Sequence, residues 1–296
     1  MLCKNTLLDS IAKDLPGLSK ETGQLLWKRD LAGGDINRAA LIGNDSTSWF
    51  LKYHENAAAD MFEAEADALR EMASLVCIRV PRPVLTGRSA EANWLVLEYV
   101  EMSGSGSETQ LGEQLAAFHS TGFKHYGWHK NNYIGTTPQD NNPTKSWAVF
   151  WRDRRISPQL DMAKANGFGG RLLDDGERLL ADMGNLLGEH QPKASLLHGD
   201  LWAGNKSYTR DGSPVIFDPA SYYGDRETDI AMTELFGGYS TEFYRAYAQC
   251  LPLPDGYPMR RDLYNLYHVL NHLNLFGRAY LGRSENMISA LLAHTH

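Results

Sequence analysis

Two neighbouring stretches carry the most information in this sequence: His198-Gly199-Asp200-Leu201-Trp202-Ala203-Gly204-Asn205, and Ile216-Phe217-Asp218-Pro219. An aspartate and an asparagine five positions apart on a loop, with a second aspartate after a following hairpin, supply the groups that phosphoryl transfer requires. One carboxylate orients the acceptor hydroxyl, while an amide oxygen and another carboxylate hold Mg²⁺ on nucleotide phosphates. The spacing therefore predicts Asp200 as the base and Asn205 and Asp218 as the magnesium ligands.

Strand signals surround both stretches. Residues 195–198 and 214–217 have the composition of short strands, and Asp211-Gly212 between them is a hairpin signal. A single HxD is common by chance, but the full set of groups with strands on both sides favours a catalytic loop. The sequence contains no GxxxxGK[ST], HExxH or GxSxG, which argues against the P-loop, zincin and hydrolase classes.

The region before these stretches has the pattern of a small β-rich lobe. Between Gln24 and His54, short apolar runs alternate with turn signals, a pattern typical of a three-stranded antiparallel meander. Residues 56–76 are rich in helix formers and have apolar positions at a 3.6-residue period, which predicts an amphipathic helix. Two more strands are predicted near 80–86 and 94–100.

Lys52 lies near the end of the third predicted strand, where a lysine reaches nucleotide phosphates if a helix carboxylate holds it. The following helix offers Glu63, Glu65 and Glu71. The first and last share the polar face, whereas Glu65 falls on the apolar stripe, where an unpaired charge is costly. The helical period therefore predicts that Lys52 pairs with Glu65.

Two further segments have compositions suited to a nucleotide. Glycines at the tip of the first hairpin allow backbone N–H groups to approach phosphate oxygens, and the fifth strand offers its backbone to an adenine edge in an apolar cleft. A plain turn and a buried strand have the same patterns, so each signal is weak alone. Besides Lys52 and Glu65, the residues predicted to bind ATP are Gly33, Gly34, Asp35, Asn37, Glu98 and Val100.

Residues 103–107, which read SGSGS, have the composition of a flexible linker. We therefore predict an N-terminal nucleotide-binding lobe over residues 1–102, a hinge over 103–107, and a catalytic and substrate-binding lobe over 108–296. Helical patterns dominate after the hinge, and residues 122–144 have an irregular composition rich in Gly, Asn and Pro. The predicted fold class is α+β and two-lobed, with a small five-stranded antiparallel sheet and one main helix beside a larger, mainly α-helical lobe.

Composition narrows the function classes. The 296 residues are 43% hydrophobic and carry a formal net charge of −7, which argues against a general affinity for nucleic acid or anionic membranes. The three cysteines are far apart and lack CxxC spacing, so neither a disulfide framework nor a thiolate metal site is expected. With no apolar run long enough for a membrane span and no signal peptide, we expect a cytoplasmic monomer.

In their order along the chain, these features resemble the protein-kinase-like fold in its aminoglycoside phosphotransferase-like branch, and within it the fructosamine kinase (ketosamine 3-kinase) family. The resemblance covers roughly residues 31–282. It rests on residues 33–37, 61–66, 132–135, 198–205, 227–238 and 270–272. Asn141-Asn142, where one Asn is expected, is a small departure that affects only its loop.

The resemblance implies ATP-dependent phosphorylation of the 3-hydroxyl of ketoamine sugars (fructosamine, ribulosamine or erythrulosamine) on amines or proteins, leading to deglycation. It also implies that Trp202 stacks on the sugar and that His272 contacts it. His198 and Asp229 are expected to be structural support of the catalytic loop rather than catalytic residues. Asp229 lies only eleven positions after Asp218, and no APE follows. That distance is too short for the activation segment of a regulated protein kinase, which favours a small or sugar-bearing substrate.

Several alternatives stay open at this point. Another small-molecule kinase, of aminoglycoside, choline or homoserine type, would have the same catalytic core, and a catalytically inactive nucleotide-binding module is the alternative from another class. Only Asn132–Gly135 with Trp202 and His272 favours ketoamines. His268 and His272 lie one helical turn apart and are expected to be core or substrate-contact residues rather than metal ligands. Residues 225–227 are expected to be a solvated charge run.

Overall fold

The computed structural model describes residues 3–18, 23–31, 37–188 and 190–294. The chain divides into two compact units: Met1–Ser107 with Lys206–Pro219, and Glu108–Asn205 with Ala220–His296. The chain therefore passes from the second unit to the first directly after Asn205 and returns directly after Pro219.

Helices and strands follow one another as α1 (Lys4–Ala12), β1 (Leu26–Leu31), β2 (Arg38–Gly43), β3 (Ser48–His54), α2 (Met61–Ser74), β4 (Pro83–Arg88), β5 (Asn93–Glu98), β6 (Met102–Ser103), α3 (Glu108–His119), β7 (Asn132–Ile134), β8 (Thr137–Gln139), α4 (Trp147–Trp151), α5 (Ser157–Ala165), α6 (Arg171–Leu187), β9 (Ser195–Leu196), β10 (Lys206–Thr209), β11 (Pro214–Ile216), β12 (Tyr223–Gly224), α7 (Glu227–Leu235), α8 (Thr241–Cys250), α9 (Tyr257–Phe276) and α10 (Leu281–Leu292). A π-helical turn, Arg152–Ile156, joins α4 to α5, and short 3₁₀ turns cover Ala203–Asn205 and Arg278–Tyr280.

The first unit is built on a five-stranded antiparallel sheet of order β1-β2-β3-β5-β4. Its strands lie where the alternation of apolar runs and turn signals predicts them, so the meander and the two later strands are confirmed. The central strands β3 and β5 pair without interruption from Trp49↔Glu98 to His54↔Asn93. Pro83 opens the edge strand β4, where a residue without an N–H is tolerated.

Helix α1 was not predicted from the sequence. Its Leu7, Leu8 and Ile11 are buried in one cluster with sheet residues such as Leu51 and Val96. A nine-residue helix with three buried positions has too short a pattern to be recognised by its period. It is stable because the sheet supplies the apolar surface that it covers.

Helix α2 has the phase that its apolar period predicts. Met61, Leu69 and Met72 are buried, and Glu63 is exposed. The helix packs on β4 and β5. Its apolar stripe therefore faces the sheet and brings Glu65 to the same side.

The SGSGS segment is held in place by hydrogen bonds. Ser103 pairs with Tyr208 in the small sheet β11-β10-β6, and its hydroxyl donates to the carbonyls of Ser105 (2.9 Å) and Thr209 (3.1 Å). A Cβ at Gly106 would overlap the Tyr208 ring. The same pairing groups Lys206–Pro219 with the first unit, whereas the sequence placed this hairpin in the C-terminal lobe. A Gly/Ser-rich composition shows that a segment lacks large side chains. It does not show whether a hairpin distant in sequence supplies hydrogen-bond partners for the backbone of that segment.

The second unit is mainly helical, with α9 at its centre. Residues 263–271 of α9 are all buried, and the helix packs on α5, α7 and α10. A helix that is buried on all sides has apolar or uncharged polar residues on every face, as residues 263–271 do. Within the described part of the chain, every helix is too short or too polar to cross a bilayer.

Residues 132–139 form a hairpin inside the stretch expected to be irregular. β7 and β8 pair from Asn132↔Gln139 to Ile134↔Thr137, and Gly135 turns with a φ of +62°. Of the four buried side chains in these three-residue strands, Ile134 is apolar and Asn132, Thr137 and Gln139 are polar, so the apolar alternation that marks a strand is missing. The pattern was therefore not recognisable in the sequence.

Candidate active site

Asp229 holds the backbone of the HGD loop from the first turn of α7. Its buried carboxylate accepts hydrogen bonds from the N–H groups of His198 (2.7 Å) and Gly199 (2.8 Å), and His119 Nε2 lies 3.1 Å from it. Burial alone would raise the pKa of Asp229, but the hydrogen bond and attraction of His119, with the Gly199 N–H, lower it below its ordinary value. The carboxylate is thus ionised and fixes the start of the loop, the place that the sequence assigned to it.

Gly199 is required by the course of the backbone. Its φ is +82°, and a Cβ there would overlap the carbonyl oxygen of Ala220. The Ala220 N–H in turn donates to the His198 carbonyl at 2.8 Å. Only glycine permits both the positive φ and this close approach, so the loop and the segment after Asp218 are packed backbone to backbone.

Asp200 and Asn205 are joined in the second unit. Asn205 is buried, and its Nδ2 donates to the backbone carbonyl of Asp200 at 2.8 Å and to Asp200 Oδ2 at 3.2 Å. The Asp200 N–H donates to His198 Nδ1 at 3.3 Å. Because the amide nitrogen of Asn205 is committed to Asp200, the amide oxygen is its atom suited to a metal ion.

Trp202 presents an indole face on this loop. Its side chain is 40% exposed, and the ring lies so close over Gly204 that a Cβ there would overlap it. The Trp202 N–H donates to the carbonyl of Asp200 at 3.1 Å, which ties the indole to the same turn as the carboxylate. A flat apolar surface near Asp200 is suited to stacking against a single sugar, in its ring or open-chain form.

The first unit brings together Lys52, Glu65 and Asp218. Lys52 Nζ lies 2.9 and 2.8 Å from the two Glu65 oxygens and 3.0 Å from Asp218 Oδ1. Lys52 and Glu65 are almost fully buried, whereas Asp218 is 37% exposed. The pairing of Lys52 with Glu65 is the one that the helical period predicts. The contact of Lys52 with Asp218 was not indicated by any local pattern.

The electrostatics of these three groups are coupled. Burial alone would lower the pKa of Lys52, but the attraction of Asp218 and Glu65 outweighs it, and the pKa lies above its usual range. Burial, with repulsion from Asp218, raises the pKa of Glu65 to about 7 in spite of Lys52. Lys52 is therefore a permanent cation, held between two carboxylates.

Asp218 has an unusual backbone. Its φ of +59° lies in the left-handed region, which aspartate tolerates better than most residues but at a cost of about 1 kcal/mol. The strand β11 ends at Ile216, two residues earlier. The turn after the strand thus aims the Asp218 carboxylate at Lys52 Nζ.

His272 lies in an aromatic cluster of the second unit. Its ring centroid is 5.1 Å from Phe236, 5.3 Å from Phe276 and 5.1 Å from Tyr280, and its Nδ1 is 2.7 Å from the His268 carbonyl. A carbonyl only accepts, so His272 Nδ1 carries a proton. Burial, with His272 close by, lowers the pKa of His268 to about 3.

The predicted adenine and phosphate segments are described in part. Gly33, Gly34 and Asp35 lie outside the described residues, and the role of this loop stays a prediction. Asn37 precedes β2, and its Oδ1 is buried without a hydrogen-bond partner in the described chain. Glu98 ends β5; its N–H donates to the Arg82 carbonyl at 2.9 Å, and its Oε1 lies 3.2 Å from the Arg82 N–H. Val100 is buried.

Residues 225–227 are not a solvated charge run. Asp225 is buried and accepts from the Tyr264 hydroxyl (2.6 Å), with His190 Nε2 at 2.7 Å. Glu227 is buried and forms a bidentate pair with Arg260, at 2.7 and 2.8 Å. These acids brace the start of α7 against α9. No local signal marks them, because their partners lie 33 and more positions away in the sequence.

The sheet, the Lys52 ion pairs and the clamped HGD loop define the class: a protein-kinase-like phosphotransferase. The model of the fructosamine kinase family matches residues 8–294, and the chain belongs to this family. Both the predicted fold class and the predicted family are confirmed.

Similar proteins agree with this assignment. A "Probable ketoamine kinase" of Synechocystis is 41% identical over 281 residues, which are 93% of this chain and 94% of that protein. The chloroplastic protein-ribulosamine 3-kinase of Arabidopsis thaliana is 37% identical over 266 residues, 88% of this chain and 81% of that one. The crystal structure of a candidate fructosamine-3-kinase from Haemophilus somnus superposes with a TM-score of 0.85 at 32% identity and covers 97% of this chain and 96% of that one.

Proposed function

We propose that this protein transfers the γ-phosphoryl group of ATP to the 3-hydroxyl of a ketoamine, a fructosamine, ribulosamine or erythrulosamine carried on a small amine or a protein lysine. The observation that carries the phosphotransfer is Lys52, a buried cation held by Glu65 and Asp218. The acceptor class is taken from the activities for which the cyanobacterial and plant relatives are named.

Each site residue has a role that follows from its chemistry. Lys52 is permanently charged and suited to phosphate oxygens, and Glu65 fixes its orientation. Asn205 and Asp218 offer an amide oxygen and a carboxylate, the hard oxygen donors that Mg²⁺ prefers, so the donor set fits this ion. Bound there, the ion would neutralise charge on the phosphates.

Asp200 is the residue we assign to the acceptor. Its carboxylate is half-buried and anchored through Asn205 Nδ2, so it can accept a hydrogen bond from the sugar hydroxyl and take its proton as the bond to phosphorus forms. Trp202 would stack on the sugar and His272 would form a hydrogen bond with one of its hydroxyls. Gly33, Gly34, Asp35 and Asn37, with the backbone at Glu98 and Val100, are the proposed contacts of the nucleotide.

Deglycation would follow from the chemistry of the product. A proton leaves C1 as the C2 carbonyl becomes an enaminol, and phosphate then departs from C3 with its electron pair. Phosphate is a far better leaving group than hydroxide. The resulting C1 imine takes up water and releases the free amine, so no separate hydrolase is required.

The direct test incubates the protein with ATP, Mg²⁺ and a panel of ribulosamines, erythrulosamines and fructosamines. We expect a new phosphate on C3 by phosphorus NMR, followed by release of free amine. Asp200→Asn should keep nucleotide binding and lose most of kcat, and Asp218→Ala or excess chelator should abolish turnover. Phosphate on another hydroxyl, or activity confined to aminoglycosides, choline or homoserine, would contradict the acceptor. Absence of any ATP turnover would indicate an inactive nucleotide-binding module.

A further inference from the structure

Arg155 is a buried cation whose hydrogen-bond partners among the described residues are all neutral. It lies in the π-helical turn Arg152–Ile156, with its guanidinium over the rings of Tyr222 (4.0 Å) and Phe150 (4.6 Å). Nη1 donates to two backbone carbonyls at 2.9 Å, and Nη2 donates to Asn141 Oδ1 at 2.7 Å. A buried charge without a carboxylate partner is costly, and π-helical turns often occur near functional sites. Its hydrogen bonds indicate which group it serves.

From Arg155 the hydrogen bonds continue through two side-chain amides. Asn141 Nδ2 donates to Asn132 Oδ1 at 2.7 Å, and Asn132 Nδ2 donates to the backbone carbonyl of Ser221 at 2.7 Å. Both asparagines are at least nine-tenths buried. The result is a path from the guanidinium to the chain just after Asp218 and Pro219. Two longer bonds join it at the side: Asn141 Nδ2 also donates to the Lys130 carbonyl at 3.2 Å, and Asn132 Oδ1 also accepts from Gln139 Nε2 at 3.3 Å.

The guanidinium sets the direction of every bond on this path. Arg155 can only donate, so Asn141 must turn its oxygen toward it and its NH₂ toward Asn132. Asn132 in turn presents its oxygen to Asn141 and its NH₂ to the Ser221 carbonyl. Bonds aligned head to tail strengthen one another in a low-dielectric interior. The path therefore has one favoured arrangement, in which the Ser221 carbonyl always has its donor.

The far end of the path is the backbone that carries the HGD loop. The Ala220 N–H donates to the His198 carbonyl at 2.8 Å, and the Leu197 N–H donates to the Tyr222 carbonyl at 3.0 Å. Gln139 Nε2, from β8, adds a longer bond of 3.4 Å to the Ala220 carbonyl. Because these hydrogen bonds join residues 220–222 to residues 197 and 198, a displacement of residues 220–222 would also displace Asp200.

We propose that Asn132 and Asn141, oriented by Arg155, are positioning residues for phosphotransfer: they hold residues 220–222 and thereby the place of the Asp200 carboxylate. None of the three is assigned a contact with the reacting atoms. The assignment rests on the proposed kinase function. It gives the hairpin β7–β8, which the resemblance linked to the sugar, a role in placing the catalytic loop.

Asn141→Asp separates positioning from folding. The new carboxylate has nearly the same shape as the amide and gives Arg155 an ion-pair partner. We therefore expect the melting temperature to rise or to fall by no more than about 2–4 °C. It has no N–H for Asn132 or for the Lys130 carbonyl. Asn132 would turn its own NH₂ toward the carboxylate, and its oxygen would leave Gln139 and face the Ser221 carbonyl. We expect kcat to fall roughly tenfold to a hundredfold, with the KM for ATP nearly unchanged.

Asn142→Asp is the matched control, since it makes the same substitution at an exposed neighbour whose side chain has no part in the path. It should have wild-type kinetics. Asn132→Asp breaks the next link, because it still accepts from Asn141 and cannot donate to Ser221, and it should reproduce the loss of kcat. In both path variants, amide hydrogen exchange should rise at residues 197–201 and 220–222 and nowhere else.

The outcomes divide clearly. Values of kcat within twofold of wild type in both path variants would overturn the proposal, as would a loss of kcat that merely follows loss of folded protein. Wild type inactive on every ketoamine would instead contradict the proposed function. In that case the exchange pattern alone decides the path: local loosening at 197–201 and 220–222 supports it, and unchanged exchange overturns it.

Discussion

At the scale of single residues, Lys52 carries the largest electrostatic consequences. A lone surface pair contributes up to about 1 kcal/mol, but removing one partner of a buried pair costs roughly 3–5 kcal/mol, because a charge is left uncompensated. Here the loss of the cation would leave two carboxylates, Glu65 and Asp218, close together. A mild substitution that keeps the shape of the site is therefore the better test of function.

Glu65→Gln should raise the KM for ATP and lower kcat, together about tenfold or more in kcat/KM, because the amide holds the Lys52 ammonium less firmly. Glu63→Gln makes the same change on the exposed side of α2 and should stay within twofold of wild type. Steady-state kinetics with ATP as the varied substrate measure both. Equal effects at the two positions would show that the helix phase does not decide the site.

Trp202→Ala should reduce kcat/KM for ketoamines by about tenfold or more and leave background ATP hydrolysis nearly unchanged, since stacking on a sugar is worth on the order of 1–3 kcal/mol. Its side chain is 40% exposed, so folding should tolerate the change. Phe123→Ala, at an aromatic residue that is 58% exposed, serves as the control. If both reactions fell in parallel, Trp202 would belong to the folding of the loop and not to sugar binding.

At the scale of secondary-structure elements, the function depends on how helices hold loops. The N-terminal turn of α7 fixes the HGD backbone through Asp229, and α3 and α8 support that carboxylate through His119 and Tyr247, whose hydroxyl lies 2.9 Å from His119 Nδ1. In the first unit, α2 carries Glu65 and α1 covers the sheet. Rigid elements thus place groups that lie on short loops.

Leu7→Ala should destabilise the first unit by about 2–5 kcal/mol, because Leu7 is fully buried between α1 and the sheet and the smaller side chain leaves a cavity. The expected result is an earlier transition in urea unfolding followed by tryptophan fluorescence. Leu26→Ala, at a leucine that is 48% exposed, should change stability by less than about 0.5 kcal/mol. A silent Leu7→Ala would mean that α1 does not contribute to the core.

At the scale of the whole molecule, buried titratable groups give the stability a pH dependence with opposing parts. The folded-state pKa of His268 is lowered to about 3. Below pH 6.5, His268 therefore binds a proton in the unfolded chain but stays neutral in the folded chain until the pH approaches 3. Stability from this group is present above pH 6.5 and lost as the pH falls toward 3. The pKa of Glu65 is raised to about 7, so its effect has the other sign and disfavours folding as the pH rises from 4.5 to 7.

His268→Gln should flatten the loss of stability between pH 6.5 and 4, since the wild type loses up to about 1.4 kcal/mol per pH unit through this group. The measurement is the free energy of unfolding at several pH values. The quantity to compare is its change per pH unit, not its absolute value in either protein. His129→Gln, at an exposed histidine, should leave the slope of the wild type. An unchanged slope in His268→Gln would mean that His268 is protonated in the folded state.

Local pattern alone predicted the meander, helix α2, the pairing of Lys52 with Glu65 and the grouping of Asp200 with Asn205. Each depends on residues that are near in sequence or on the period of one element, and side-chain direction follows that period directly. The partners of Asp229, the contact between Lys52 and Asp218, and the buried acids Asp225 and Glu227 could not be found in this way.

The amino-acid order by itself specified which side chains each strand and helix turns to its apolar face, and hence the class of the fold and the identity of the reactive groups. Tertiary structure alone decided that Ser103 pairs with Tyr208 of β10, that Lys206–Pro219 belongs to the first unit, and that Asn132 donates to the backbone carbonyl of Ser221. These features consist of hydrogen bonds between polar groups distant in sequence. A buried polar group must find a partner, but its sequence neighbours do not specify which one, and only the packed chain brings that partner within 3 Å.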